Sequence, residues 1–230
     1  LHLALKSNSL DDEAKSLYIK VWSKLLPHID NKLSYKSFFD YLCSSSSVKS
    51  KRLVYGFAKF YLFFKKYDAA IKILEENFVL NAREDDLEGL LIEAYTLSGN
   101  LDKAKELINK KEDSDHYDIL KSKTIYYQYI ENNTSLEKNI DRALSIYKND
   151  FFFMMAKSDF YLENKNILYF SETLDAINKR GFEGSLYYYA LYLKNKAIYF
   201  FLHSKYKEGL DSIKKSLNIL PDELLYKKLS

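Results

Sequence analysis

The apolar positions from Val54 to Leu80 follow two helical stripes of opposite sense, with a polar break at Lys65-Lys66. Ala58 and Tyr61 stand three apart before the break, and Tyr67, Ala70 and Leu74 follow it on one helical face. Small residues at Ala58 and Ala70 let two antiparallel helices approach, and the rings fill the space around them. The same spacing of 3, 6, 3 and 4 residues recurs at Ile92, Tyr95, Leu101, Ala104 and Ile108. It recurs again at Ala197, Phe200, Tyr206, Gly209 and Ile213.

Between these copies the helical period continues. Residues 116–131 and 136–148 read as a third pair, with Ala143 as its small contact and a longer loop over Asn132-Asn133-Thr134-Ser135. Residues 151–162 and 165–179 read as a fourth pair that keeps the period without the small-residue code. Gly99-Asn100 marks the turn of the second copy, where glycine meets a left-handed backbone at no steric cost. The last copy runs over 185–204 and 205–219 and is followed by Pro221, with Leu224–Leu229 opening a closing helix. Ahead of the repeats, Ser9 caps a helix whose face carries Ala14, Leu17, Tyr18, Val21, Trp22 and Leu25. Pro27 ends it, and Ser34 caps a short helix through Cys43. Residues 1–47 therefore read as N-terminal helices with a truncated repeat, and 48–230 as the array, within one domain. The opening Leu1-His2-Leu3-Ala4-Leu5 reads as a helix already under way, the expectation for a fragment of a longer chain.

A helix–turn–helix unit repeating every 34 residues resembles the tetratricopeptide repeat family. The residues that carry the resemblance are the three in-register sets above, with Pro221 at the family's terminal proline. Gly209 replaces the family's second-helix alanine, Ile92 replaces its first-helix small residue, and its leading tryptophan is missing from all three copies. One helix pair cannot bury its own apolar face, so pairs stack over a shared core. The expected fold is all-α, an α-solenoid of antiparallel helix pairs wound as a superhelix. The resemblance implies a groove lined by the first helix of each pair, and a scaffold that binds a partner protein or peptide there or assembles into a larger complex. The alternative is the peptide-sensing domain of a bacterial transcriptional regulator, whose DNA-binding module would lie outside this sequence.

By register, the groove-facing candidates are Arg52, Tyr55, Lys59 and Phe63 in the first copy. In the last they are Leu191, Lys194, Asn195, Ile198 and Phe201. Lys194 and Asn195 sit where some family members grip a terminal carboxylate, but Asp86, Gly89 and Glu93 in the second copy do not complete that clamp. Most exposed polar residues carry little energy, and the ordinary reading of both is a solvated helix face.

Charge sharpens this picture. Lys49, Lys51, Arg52, Lys59, Lys65 and Lys66 form a basic strip without an acid. Glu75, Glu76, Glu84, Asp85, Asp86, Glu88 and Glu93 follow with one base, Arg83. Such strips steer an acidic partner, remain idle surface charge, or face each other between repeats. The chain also has 21 Tyr and 15 Phe. Runs such as Tyr126-Tyr127, Phe151-Phe152-Phe153, Tyr187-Tyr188-Tyr189 and Tyr199-Phe200-Phe201 cannot bury every ring on one face, because helix neighbours diverge by about 100°.

Composition narrows the function classes. A net charge of +3 is close to balance and argues against a dedicated nucleic-acid binder. The single cysteine, Cys43, offers no internal disulfide and fits a reducing intracellular compartment, with the cytoplasm expected. No stretch reaches the roughly 18 apolar residues of a membrane span. His2, His28, His116 and His203 are scattered, without metal-ligand spacing. No phosphate loop, nucleophile elbow or zinc-protease motif is present. No catalytic, metal or cofactor site is expected.

Overall fold

A computed structural model describes residues 51–78, 85–182 and 186–219. The sequence readings over 1–50, at Pro221 and over Leu224–Leu229 lie outside the described residues. Ten α-helices and no strand occur among those that are described: α1 (Lys51–Phe63), α2 (Tyr67–Phe78), α3 (Asp85–Ser98), α4 (Leu101–Lys110), α5 (Tyr117–Tyr129), α6 (Asn133–Ile146), α7 (Phe151–Glu163), α8 (Ile167–Arg180), α9 (Leu186–Leu202) and α10 (Tyr206–Ile219). The expected all-α class holds. The helices fall into two compact units, one through Asn132 and one from Asn133. The first holds α1–α5 and the second α6–α10.

The intra-pair turns share one backbone solution. One or two residues after each first helix ends, the backbone adopts a positive φ: Lys65 (56°), Gly99 (83°), Glu131 (55°), Lys165 (56°) and Ser204 (57°). The next N–H then reaches back over the helix end. Lys66 N donates to Tyr61 O at 2.8 Å, Asn100 to Tyr95 at 2.8 Å, Asn132 to Tyr127 at 2.9 Å, Asn166 to Tyr161 at 2.8 Å and Lys205 to Phe200 at 2.9 Å. The positive-φ residue's own N–H bonds three residues back at every site, as in Lys65 N to Leu62 O at 3.0 Å. This double closure is a Schellman motif, which satisfies carbonyls that a helix end leaves open.

The turns set a common register that the small residues alone hide. The acceptor is aromatic each time, and the spacings from Tyr61 to Phe200 are 34, 32, 34 and 39 residues. Three residues before it stand Ala58, Ile92, Thr124, Ser158 and Ala197, all at 0% exposure. Nine residues after it stand Ala70, Ala104, Leu136, Phe170 and Gly209, all buried. The third and fourth stretches therefore keep the code with larger residues on the second helix.

Three sequence expectations are corrected. Ala143 is buried, but Leu136 holds the register position assigned to it. The expected loop over Asn132–Ser135 is shorter, because Glu131 takes the left-handed conformation and α6 starts at Asn133. Tyr206, in register with the packed Tyr67 and Leu101, is 63% exposed.

Two glycines mark close approaches. A Cβ on Gly89 would lie 2.6 Å from the backbone of Asp118, so α5 begins directly on α3. A Cβ on Gly209 would lie 2.5 Å from the Phe201 ring, which explains glycine where the other second helices carry a side chain.

In the first unit one core runs through Val54, Ala58, Leu74, Leu90, Ile92, Ala94 and Ile119. In the second, aromatic packing dominates. Phe151 stacks on Tyr188 at 4.8 Å and Phe182 at 5.6 Å, with the Arg180 guanidinium 3.9 Å from the Phe151 ring centroid. The aromatic runs thus serve packing at Phe151, Phe153, Tyr126 and Tyr188.

A left-handed conformation costs a side-chain-bearing residue about 1 kcal/mol relative to glycine. Lys165→Gly is expected to stabilise the chain by roughly that amount less the entropy glycine gives the unfolded state. Urea unfolding with a higher midpoint and unchanged slope is the expected result.

Candidate functional site

The first helices of the first unit, α1, α3 and α5, present charged side chains on one shared face. Their register positions carry Arg52, Tyr55 and Lys59 on α1, Asp86, Gly89 and Glu93 on α3, and Asp118 and Lys121 on α5. Gly89 has no side chain, which brings Asp118 close enough to receive a bond from α1. Tyr55 Oη donates to Asp118 Oδ1 at 3.2 Å. Lys121 Nζ lies 2.9 Å from Glu93 Oε2 and Lys51 Nζ 3.3 Å from Asp86 Oδ1. Burial, with Asp118 beside it, pushes the Tyr55 hydroxyl well above the usual tyrosine range.

Lys59 differs from these paired groups. It is half-buried, with Nζ 4.5 Å from the Tyr55 ring centroid, a cation–π arrangement. It forms no ion pair with a described residue. Burial and then the Lys121 cation lower its pKa, against the pull of Asp118, Glu93 and Asp86.

Three acids of the strip, Glu75, Asp85 and Glu88, are taken up within the unit. Glu75 receives Tyr95 Oη and Lys103, Asp85 pairs with Lys111 at 2.6 Å, and Glu88 pairs with the same lysine. Ser114 adds a bond to Asp85 at 3.0 Å. Lys123 Nζ donates to the carbonyls of Lys111 at 2.6 Å and Glu112 at 2.8 Å, closing the end of α4. Of the ways the two strips could be used, the structure shows mutual facing at Lys51–Asp86 and around Lys59.

The remaining predicted residues fall in different settings. Arg52 lies on α1, and Phe63 ends it, 39% exposed and edge-on to Phe64 at 5.2 Å. In the second unit Leu191 is partly buried against the core. Asn195 is 2% exposed, not solvated, and its Nδ2 donates to Asp159 Oδ1 at 2.7 Å and Ser158 Oγ at 3.3 Å. Lys194 stands half-buried beside it. Phe201 packs against Ala197, Ile213 and Leu217 and lies over Gly209, leaving part of its ring exposed. Asp118, Lys121 and Asp159 were missed by the sequence reading, because the register of α5 and α7 was hidden there; the aromatic at Tyr127 and Tyr161 was the available signal.

A separate cleft of about 260 Å³ lies between α2, α3 and α4, lined by Glu75, Leu91, Tyr95, Lys103, Glu106 and Leu107. Its carboxylates are already paired with Lys103 and Lys110. Among the described residues no group of three or more His, Cys, Asp or Glu side chains could hold a metal ion.

No protein-family model matches the chain, and no curated protein matches it in sequence. A solved tetratricopeptide repeat protein from Parabacteroides merdae superposes with a TM-score of 0.71 at 13% identity, over 99% of this chain and 89% of that one. The fold is the tetratricopeptide-repeat fold. YrrB, a tetratricopeptide protein with an unusual peptide-binding site, is similar at a TM-score of 0.49 and 13% identity, over 83% of this chain and 96% of that one. At that score the likeness adds nothing to the fold assignment.

Lys59 yields a pH prediction. Its amine holds a proton less firmly folded than unfolded, so the charged form opposes folding below its lowered pKa. That opposition fades as pH rises toward the ordinary lysine value of 10.5. Lys59→Met is expected to match or exceed the parent's stability at pH 7, within about 1 kcal/mol. Chemical denaturation from pH 7 to 9.5 is expected to show the parent gaining on the variant.

Proposed function

We propose that this chain is a non-catalytic protein-interaction scaffold that takes a partner protein or peptide on its first-helix faces. The observation that carries the reading is Lys59, a half-buried cation held over Tyr55 without an ion pair to any described residue, on a face where Lys51 and Lys121 are paired with Asp86 and Glu93. A fold gains nothing from leaving one desolvated charge unpaired; a partner's acidic side chain supplies what is missing. Phe63 extends the same candidate surface along α1, the helix that also carries Arg52.

Self-association is the second form of the reading. Leu202 at 51% and Tyr206 at 63% exposure stand beside the α9–α10 turn, a setting suited to a contact between copies. No observation of the described residues favours the ligand-sensing alternative. No helix among them is long and apolar enough to cross a membrane. With one cysteine and near-balanced charge, we place the protein in a reducing compartment such as the cytoplasm, with protein rather than nucleic acid as its partner.

The test is affinity capture from the source cell's lysate with the parent and with Tyr55→Ser/Lys59→Gln, both shown to be folded by circular dichroism. The captured partner is then purified and its affinity measured directly. Binding at least tenfold weaker to the double variant is expected. Equal binding contradicts the assignment to the α1–α3–α5 face.

A further inference from the structure

The first-helix face of the second unit has a different chemistry. Its register positions carry Phe152, Met155 and Asp159 on α7, and Leu191, Lys194 and Ile198 on α9. Four of these six are apolar, and Phe152, Leu191 and Ile198 keep part of their surface exposed. The acid in this setting, Asp159, is half-buried. Its Oδ1 is held by the buried Asn195 amide at 2.7 Å, and the same amide reaches Ser158 Oγ. Oδ2 has no donor among the described residues, and no ion pair forms. Lys194 is near enough to favour the charge without pairing to it, and burial, the larger effect, pushes the carboxyl above its usual range.

This arrangement costs stability as it stands. Acids half-removed from water are ordinarily paired, and an unpaired one destabilises the fold that carries it. The Asn195 bond fixes the carboxylate's orientation without neutralising it. Apolar neighbours would exclude water around any cation seated there and strengthen the attraction.

We propose that the α7–α9 face receives a partner segment that sets one arginine or lysine cation on Asp159 between apolar side chains lying on Phe152, Leu191 and Ile198. The inference rests on the scaffold reading and names the chemistry of the partner. Charge complementarity selects a basic–apolar segment, where the α1–α3–α5 face with Lys59 selects an acidic one.

The experiment is selection of a displayed random dodecapeptide library on the immobilised parent and on Asp159→Asn. The parent is expected to enrich peptides with one basic residue flanked by apolar ones. A synthetic copy should bind the parent at least tenfold more tightly than Asp159→Asn, and at least tenfold more tightly than the same peptide with citrulline in place of arginine. Asp159→Asn should melt no lower than the parent, since it removes an unpaired charge and keeps the shape. Enriched peptides that ignore both changes overturn this inference and leave the scaffold reading standing. A melting temperature several degrees lower in Asp159→Asn, with the citrulline peptide binding as well as the arginine one, makes Asp159 a packing residue and overturns it too. If the parent enriches no peptide, this inference is overturned, and the scaffold reading stands or falls by its own capture test. If, in addition, a parent dimer dissociates on Asp159→Asn, the face belongs to a second copy of this chain.

Discussion

Five backbone N–H groups, those of Lys66, Asn100, Asn132, Asn166 and Lys205, reach back across a left-handed residue to an aromatic residue's carbonyl. The arrangement of the helices depends on this closure. It ends each first helix at a fixed point and starts the next helix two residues after the left-handed one. Side chains three residues before the aromatic and nine after it are thereby committed to the core. Only Gly99 meets the left-handed requirement without steric cost; Lys65, Glu131, Lys165 and Ser204 hold it against their own preference. Within the pairs α1–α2, α7–α8 and α9–α10 the two helices pack on each other and hold the turn between them.

The same register decides which side chains are free to act. Once the core positions are spent, the remaining first-helix positions form a face whose charges either cancel internally or stay open. In the first unit two pairs cancel, Lys51 with Asp86 and Lys121 with Glu93, while Asp118 accepts a bond from the neutral Tyr55 hydroxyl. Lys59 remains, sheltered by the Tyr55 ring. In the second unit Asp159 remains, oriented by Asn195. Two partly desolvated charges of opposite sign, each on the first-helix face of its own unit, are the features that packing alone does not account for.

Much of the fold was legible in the sequence. The pairs around Lys65-Lys66, Gly99-Asn100 and Ser204-Lys205 were readable because small residues mark helix contacts, and the limits of the last pair came within a residue or two. The middle copies were obscured because Thr124 and Ser158 stand where an alanine was sought on the first helix, and Leu136 and Phe170 on the second. Phe170, at 0% exposure, is buried at the position where the first two copies carry an alanine, and a local spacing does not reveal that. The 39-residue step between Tyr161 and Phe200 further broke the period. The site followed the same limits. Tyr55 and Lys59 were placed by register. Asp118, Lys121 and Asp159 were not, since they belong to helices whose register was hidden. The solvated reading of Asn195 fails because register alone does not tell a buried amide from a solvated one.

The measurement that tests the common register most directly is solution NMR of the five turns. Residues 65, 99, 131, 165 and 204 are expected to show the scalar couplings and short-range NOEs of a positive φ, and the amides that follow them to exchange slowly with solvent. Five such turns would establish one repeating unit throughout the described array. Extended or helical φ at Glu131 and Lys165, with fast exchange at Asn132 and Asn166, would contradict it and leave three copies separated by unrelated helices.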